Sequence, residues 1–92
     1  MSSGIYKIIV SKQAVKDAKL IKQAQLENKV KTILSELSID PYSKTFNFEA
    51  LKFDLSGFYS KRINIKHRLV YRIDETRKEV IILRMWSHYE KM

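Results

Sequence analysis

Residues 56–74 read SGFYSKRINIKHRLVYRID, and the alternation within them decides the architecture. Successive side chains of a strand point to opposite faces, so residues two apart share one. Tyr59 and Ile63 then fall with Leu69, Tyr71 and Ile73 on an apolar face that needs a cover. Ser60, Arg62, Arg68 and Arg72 share the other face with Phe58 and Val70. If the connection at 64–66 is three residues long, Arg62 sits directly across from Arg68, whereas a two-residue turn would separate them. Like charges facing each other across a ladder are destabilising, so an anion in front of the pair is a reasonable inference. The stretch also holds Lys61, Lys66 and His67, against one acid at its far end.

The surrounding sequence supplies the cover. Residues 5–10, IYKIIV, are a β-branched and aromatic strand that stops at Ser11, a good helix N-cap. Ala14, Ala18, Ile21 and Gln25 follow helical spacing, and Val30, Ile33, Leu34 and Leu37 form a clearer apolar stripe. Ile39-Asp40-Pro41 ends the second helix, because the residue before a proline leaves the α region. The two helices form a hairpin, broken or bent near Gln25–Asn28. After a loop at 42–47 come strand candidates at about 48–55, 58–64, 67–74 and 78–86, with turns at Leu55-Ser56-Gly57 and Asp74–Arg77. Four consecutive strands with short connections predict an antiparallel meander, with the helices packed on one of its faces. The fold class is α+β, in one domain spanning residues 1–92.

Composition bounds the function. The 92 residues are 45% hydrophobic with two Gly and one Pro, the profile of a folded domain with one modest core. Eighteen bases against ten acids give a net charge of +8, which favours a polyanionic partner: nucleic acid, an acidic protein or an anionic membrane surface. The absence of cysteine excludes disulfides and thiolate metal sites. No stretch approaches the length of a membrane span, and the expectation is a cytoplasmic protein.

Within the basic region, Phe58, Tyr59, Tyr71, Trp86 and Tyr89 lie among the cations, and RNA recognition combines phosphate-binding bases with aromatic stacking. Tyr59 and Tyr71 belong to the core by parity. Glu49, in NFEALKFDL beside Lys52, is the acid nearest the basic set. It reads equally as a salt-bridge partner or as a general base within reach of a hydroxyl. His88, in MWSHYEKM, reads as an exposed terminal histidine or as a proton donor near neutral pH. His67 and His88 without a supporting carboxylate make a poor metal site, and no Gly-rich phosphate loop is present.

The block LSGFYSKRIN at 55–64, HRLVY at 67–71, Glu49-Ala50-Leu51-Lys52 before them and His88-Tyr89 after them resemble the YoeB/Txe branch of the RelE/ParE-type toxins. These are the toxin halves of bacterial type II toxin–antitoxin modules. The resemblance implies a RelE-like fold and a metal-independent, cofactor-free endoribonuclease that cuts translated mRNA in the ribosomal A site. It puts the family's catalytic residues on Glu49, Arg68, His88 and Tyr89, with supporting phosphate-binding cations on Lys52 and Arg62. Glu49 would take the proton of the ribose 2′-OH, Arg68 with Arg62 and Lys52 would stabilise the phosphorane, and His88 would protonate the leaving oxygen. Tyr89 would orient or stack on a base. Implied partners are the ribosome, mRNA and a more acidic cognate antitoxin of YefM/Axe type, and the same resemblance alone admits a homodimer. Two other readings stay open: a ParE-like toxin that inhibits DNA gyrase without cutting RNA, and a non-catalytic RNA-binding module.

Overall fold

A computed structural model of the chain describes residues 5–86. Its elements are β1 (Lys7–Val10), α1 (Lys12–Gln23), α2 (Glu27–Ile39), β2 (Glu49–Ala50), β3 (Phe58–Arg62), β4 (Arg68–Asp74) and β5 (Glu79–Arg84). A short 3-10 turn, Phe53–Leu55, separates β2 from β3. The strands form one sheet in the order β1-β5-β4-β3-β2. The pairs β2–β3, β3–β4 and β4–β5 are antiparallel, as the meander predicts. The initial strand adds a parallel edge on β5, so the sheet has five strands and is mixed.

Ser11 does two jobs at the start of α1. Its Oγ accepts from the Ala14 N–H at 3.1 Å, satisfying one of the orphan amides of the first turn. The same hydroxyl donates to the Leu83 carbonyl at 3.0 Å, which ties the helix to β5. The hairpin breaks where expected: Gln25 has a φ of 61° and α2 begins two residues later. The buried stripe of α1, however, is Ala14, Asp17 and Ile21, while Ala18 and Gln25 are exposed. An acid can hold a core position here because β5 satisfies it. Asp17 accepts from Arg84 Nε at 2.9 Å and from the Met85 N–H at 3.0 Å. Burial pulls the Asp17 carboxyl upward, but the hydrogen bonds from Arg84, Met85 and Gln13 outweigh it and hold it below the usual carboxylate value.

The core forms where that helical face meets one face of the sheet. Val30, Ile33 and Leu37 of α2 join Leu69, Tyr71, Val80 and Ile82, as the parity of β4 requires. The Tyr71 hydroxyl donates to the Pro41 carbonyl at 2.8 Å, satisfying the one polar atom of the largest core side chain. The β4–β5 ladder shifts register between Val70 and Tyr71, which leaves Leu83 as an extra residue on β5. A second tie lies at the edge: exposed Glu75, after β4, accepts from Tyr6 and Tyr42 and pairs with Lys78 at 2.8 Å. Hydrogen bonds from Lys78, Tyr42 and Tyr6 hold its carboxyl at about 2.

β2 is much shorter than the predicted 48–55. After Leu51 turns into the core the chain leaves the ladder and coils through residues 53–55. Gly57, at a φ of 95°, then returns it to β3, a conformation that needs glycine.

Candidate active site

The β3–β4 hairpin positions the site. Asn64 builds its turn: the side-chain oxygen accepts from the N–H groups of Lys66 (2.9 Å) and His67 (2.7 Å). The Ile63 N–H reaches the His67 carbonyl at 3.0 Å, leaving 64–66 as the connection. That length sets the register Phe58 to Arg72, Ser60 to Val70 and Arg62 to Arg68. The like-charge pair expected from the sequence is therefore present, on the face turned away from the helices.

Arg62 and Arg68 are half-buried, and the Nε atom of each is buried without a hydrogen-bond partner among the described residues. Leaving such a donor unmade costs about 1–3 kcal/mol, more when it is charged. Two facing guanidinium groups that find no protein acceptor at Nε form a cationic patch that an anion would complement. Ser60 Oγ, one step along β3, is also buried and unpartnered. Directly across from Ser60 on β2 stands Glu49, which shares that face and is exposed.

The approach to Glu49 is tied down from below. Lys61 belongs to the core face by parity and is fully buried, not part of the basic face. Its Nζ donates to the carbonyls of Ser43 and Thr45, both at 2.9 Å, and lies 3.3 Å from Glu36 of α2. On the next residue the Arg62 N–H donates to the Phe46 carbonyl at 2.6 Å. Both contacts hold the 43–46 loop, in which Phe46 takes a φ of 54°. Burial pushes the Lys61 ammonium below its ordinary value, and Glu36 works against that shift. Its role was available from alternation: Lys61 shares parity with Tyr59 and Ile63.

Lys52 is exposed but lies beyond β2, at the start of the 3-10 turn, so it is not on the ladder that aligns Glu49 with the arginines. Tyr71 and Tyr59 are internal, with ring centroids 5.8 Å apart. Trp86 packs on the core and stacks on His67 at 3.8 Å. Burial, aided by Lys66, lowers the His67 imidazole below its ordinary value. His88 and Tyr89 lie outside the described residues. No helix among those described is long and apolar enough to cross a membrane.

The model of the YoeB-like toxins of bacterial type II toxin–antitoxin systems matches residues 11–89. The chain belongs to this family. A Toxin YoeB of Synechocystis sp. is 35% identical over 75 residues, covering 82% of this chain and 78% of that relative. The YoeB–YefM complex from Staphylococcus aureus contains a chain 32% identical, with a TM-score of 0.77 and coverage of 91% and 98%. The YoeB/ParE toxin from Agrobacterium tumefaciens shares the fold at a TM-score of 0.83 with 24% identity, covering 90% and 99%. The family membership extends over the hairpin, Glu49 and the His88-Tyr89 pair alike.

Proposed function

We propose that this YoeB-like toxin is a ribosome-dependent endoribonuclease that cleaves mRNA during translation. The observation that supports it most is the opposed Arg62–Arg68 pair, whose buried Nε atoms lack partners, one step from Glu49. RNA cleavage of this kind has the 2′-oxygen attack the adjacent phosphorus while the bond from phosphorus to the 5′-oxygen breaks. Glu49 takes the 2′-OH proton. Arg68 and Arg62 bear on the phosphorane oxygens as negative charge develops there, an arrangement that works only if the donors are already in place. His88 returns a proton to the 5′-oxygen, Tyr89 orients the neighbouring base, and Lys52 adds a more distant cation. The products are a cyclic phosphate and a free 5′-OH, and the ribosome would hold the mRNA in the extended form the site needs.

The partner reading follows the same charges. The Staphylococcus aureus relative is in complex with YefM. A net charge of +8 suits an acidic antitoxin whose segment covers the outer face and orders on binding.

The test is a cell-free bacterial translation reaction with purified wild type, Arg68→Ala and His88→Ala, with mRNA 5′ ends mapped by primer extension. Wild type should create new ends only when ribosomes are translating. Arg68→Ala should lower the rate by about 100- to 1,000-fold, the usual cost of removing one preorganised donor. Intact mRNA with wild type would overturn the nuclease reading, and a supercoiling assay with DNA gyrase would then test the ParE-like one.

A further inference from the structure

The ladder that carries the arginine pair continues past Glu49 on its other side. Two residues along β3 from Ser60 stands Phe58, and its partner on β4 is Arg72. Parity puts both on the outer face. The position of Glu49 is therefore flanked by two steps: Arg62–Arg68 on one side and Phe58–Arg72 on the other, each about 7 Å away along the strand. That interval is comparable to one nucleotide of an extended single strand. Arg72 is exposed, and its side chain has no hydrogen bond or ion pair among the described residues.

The chain reaches Phe58 through a loop with an unusual residue. The Leu51 N–H bonds the Phe58 carbonyl at 2.9 Å, closing the segment between them into a compact loop. Phe53 on that loop is 92% exposed and has a φ of 57°. A bulky side chain in the left-handed region costs stability that glycine would not. Here no packing offsets the cost. A ring held out in solvent in a strained conformation, on the loop that leads into Phe58 and so to the Arg72 step, suits a ligand with both a flat face and a negative charge.

We propose that Phe53, Phe58 and Arg72 form a nucleotide subsite adjoining the cleavage centre, in which a single-stranded RNA lays a base on an aromatic ring and its phosphate on Arg72. The proposal rests on the nuclease reading for the identity of the RNA, but its chemistry stands on this face alone. Stacking accepts every base, since each has a π face, and the guanidinium reads phosphate without reading sequence. Stacking distinguishes RNA from a peptide that offers negative charge alone.

A 2′-O-methyl RNA heptamer lacks the attacking hydroxyl, so its binding is read apart from cleavage. Its affinity, followed by fluorescence anisotropy over a range of salt, is compared for wild type, Arg72→Gln and Phe53→Gly. Arg72→Gln should weaken binding several-fold and reduce the salt slope by about one. Phe53→Gly should raise the melting temperature while weakening binding about tenfold, a combination that a purely structural role does not produce. Equal affinity in the three proteins overturns the subsite, and so does a wild type that fails to bind the heptamer. Weakened binding in the variants, together with a wild type that leaves translated mRNA intact, keeps the subsite and removes the nuclease.

Discussion

Lys61 and Arg62 are neighbours on one strand and use their charge in opposite ways. Lys61 faces the helices, fully buried, with two carbonyls, two hydroxyls and Glu36 around its ammonium. Arg62 faces outward, opposite another arginine, with a buried Nε that nothing described satisfies. A cation surrounded by acceptors is spent on structure. A cation left short of them, beside a second one, lowers the stability of the empty protein and raises its affinity for whatever anion arrives. Period-two alternation alone separates the two roles, since the residue types and the local sequence are nearly the same.

The comparison is easiest to break at Lys61. Lys61→Met removes the donor under the 43–46 loop, leaving the Ser43 and Thr45 carbonyls unsatisfied and Glu36 with two hydroxyls alone, and it should cost about 2–4 kcal/mol in urea unfolding. A loss under 1 kcal/mol would mean that the loop holds itself. Asp17→Asn comes next. It keeps the hydrogen bond to Met85 but loses the pairing with Arg84, and we expect a loss of about 1–3 kcal/mol at neutral pH. Because Asp17 is held below its unfolded value, its contribution is present above that value and disappears as pH falls through the folded one. The gap between wild type and Asp17→Asn should therefore close in acid below about pH 4, and a gap that widens there would reverse the assignment. The smallest effect sharpens the other side: Arg62→Met relieves the repulsion with Arg68 and should raise stability by about 0.5 kcal/mol in the same unfolding assay. Destabilisation there would make the outer pair structural after all.

Much of this was legible in the sequence, for physical reasons that can be named. The apolar parity of 59–73 and the Ser11 cap fixed the sheet face and the start of α1 because each depends on a local period or a single hydrogen bond. The Arg62–Arg68 pairing was only conditionally legible: it needed a three-residue connection, which the Asn64 side-chain bonds to Lys66 and His67 fix in the structure. Asp17 was not legible, since its strongest donors, Arg84 and Met85, lie 67 and 68 residues away. The extent of β2 was missed as well: NFEALKFDL alternates like a strand, yet Phe53 adopts a left-handed conformation that no propensity for phenylalanine suggests. Lys61 was counted among bases awaiting an anion although its parity already placed it inside. The site residues His88 and Tyr89 rest on the resemblance, whereas Glu49 and Arg68 share a face in the structure.

The parallel edge has a consequence for how the chain is made. β1 is synthesised before the other elements, yet among the described residues its partner in the sheet is β5, the last strand described, and Tyr6 reaches Glu75 across 69 residues. Contacts of such long range close late, because the loop entropy between them must be overcome before they form. Helices α1 and α2 can form as they emerge, but the sheet cannot close at its first edge until β5 has emerged. The nascent chain thus lacks its finished fold until β5 has left the ribosome, long after its first strand has done so.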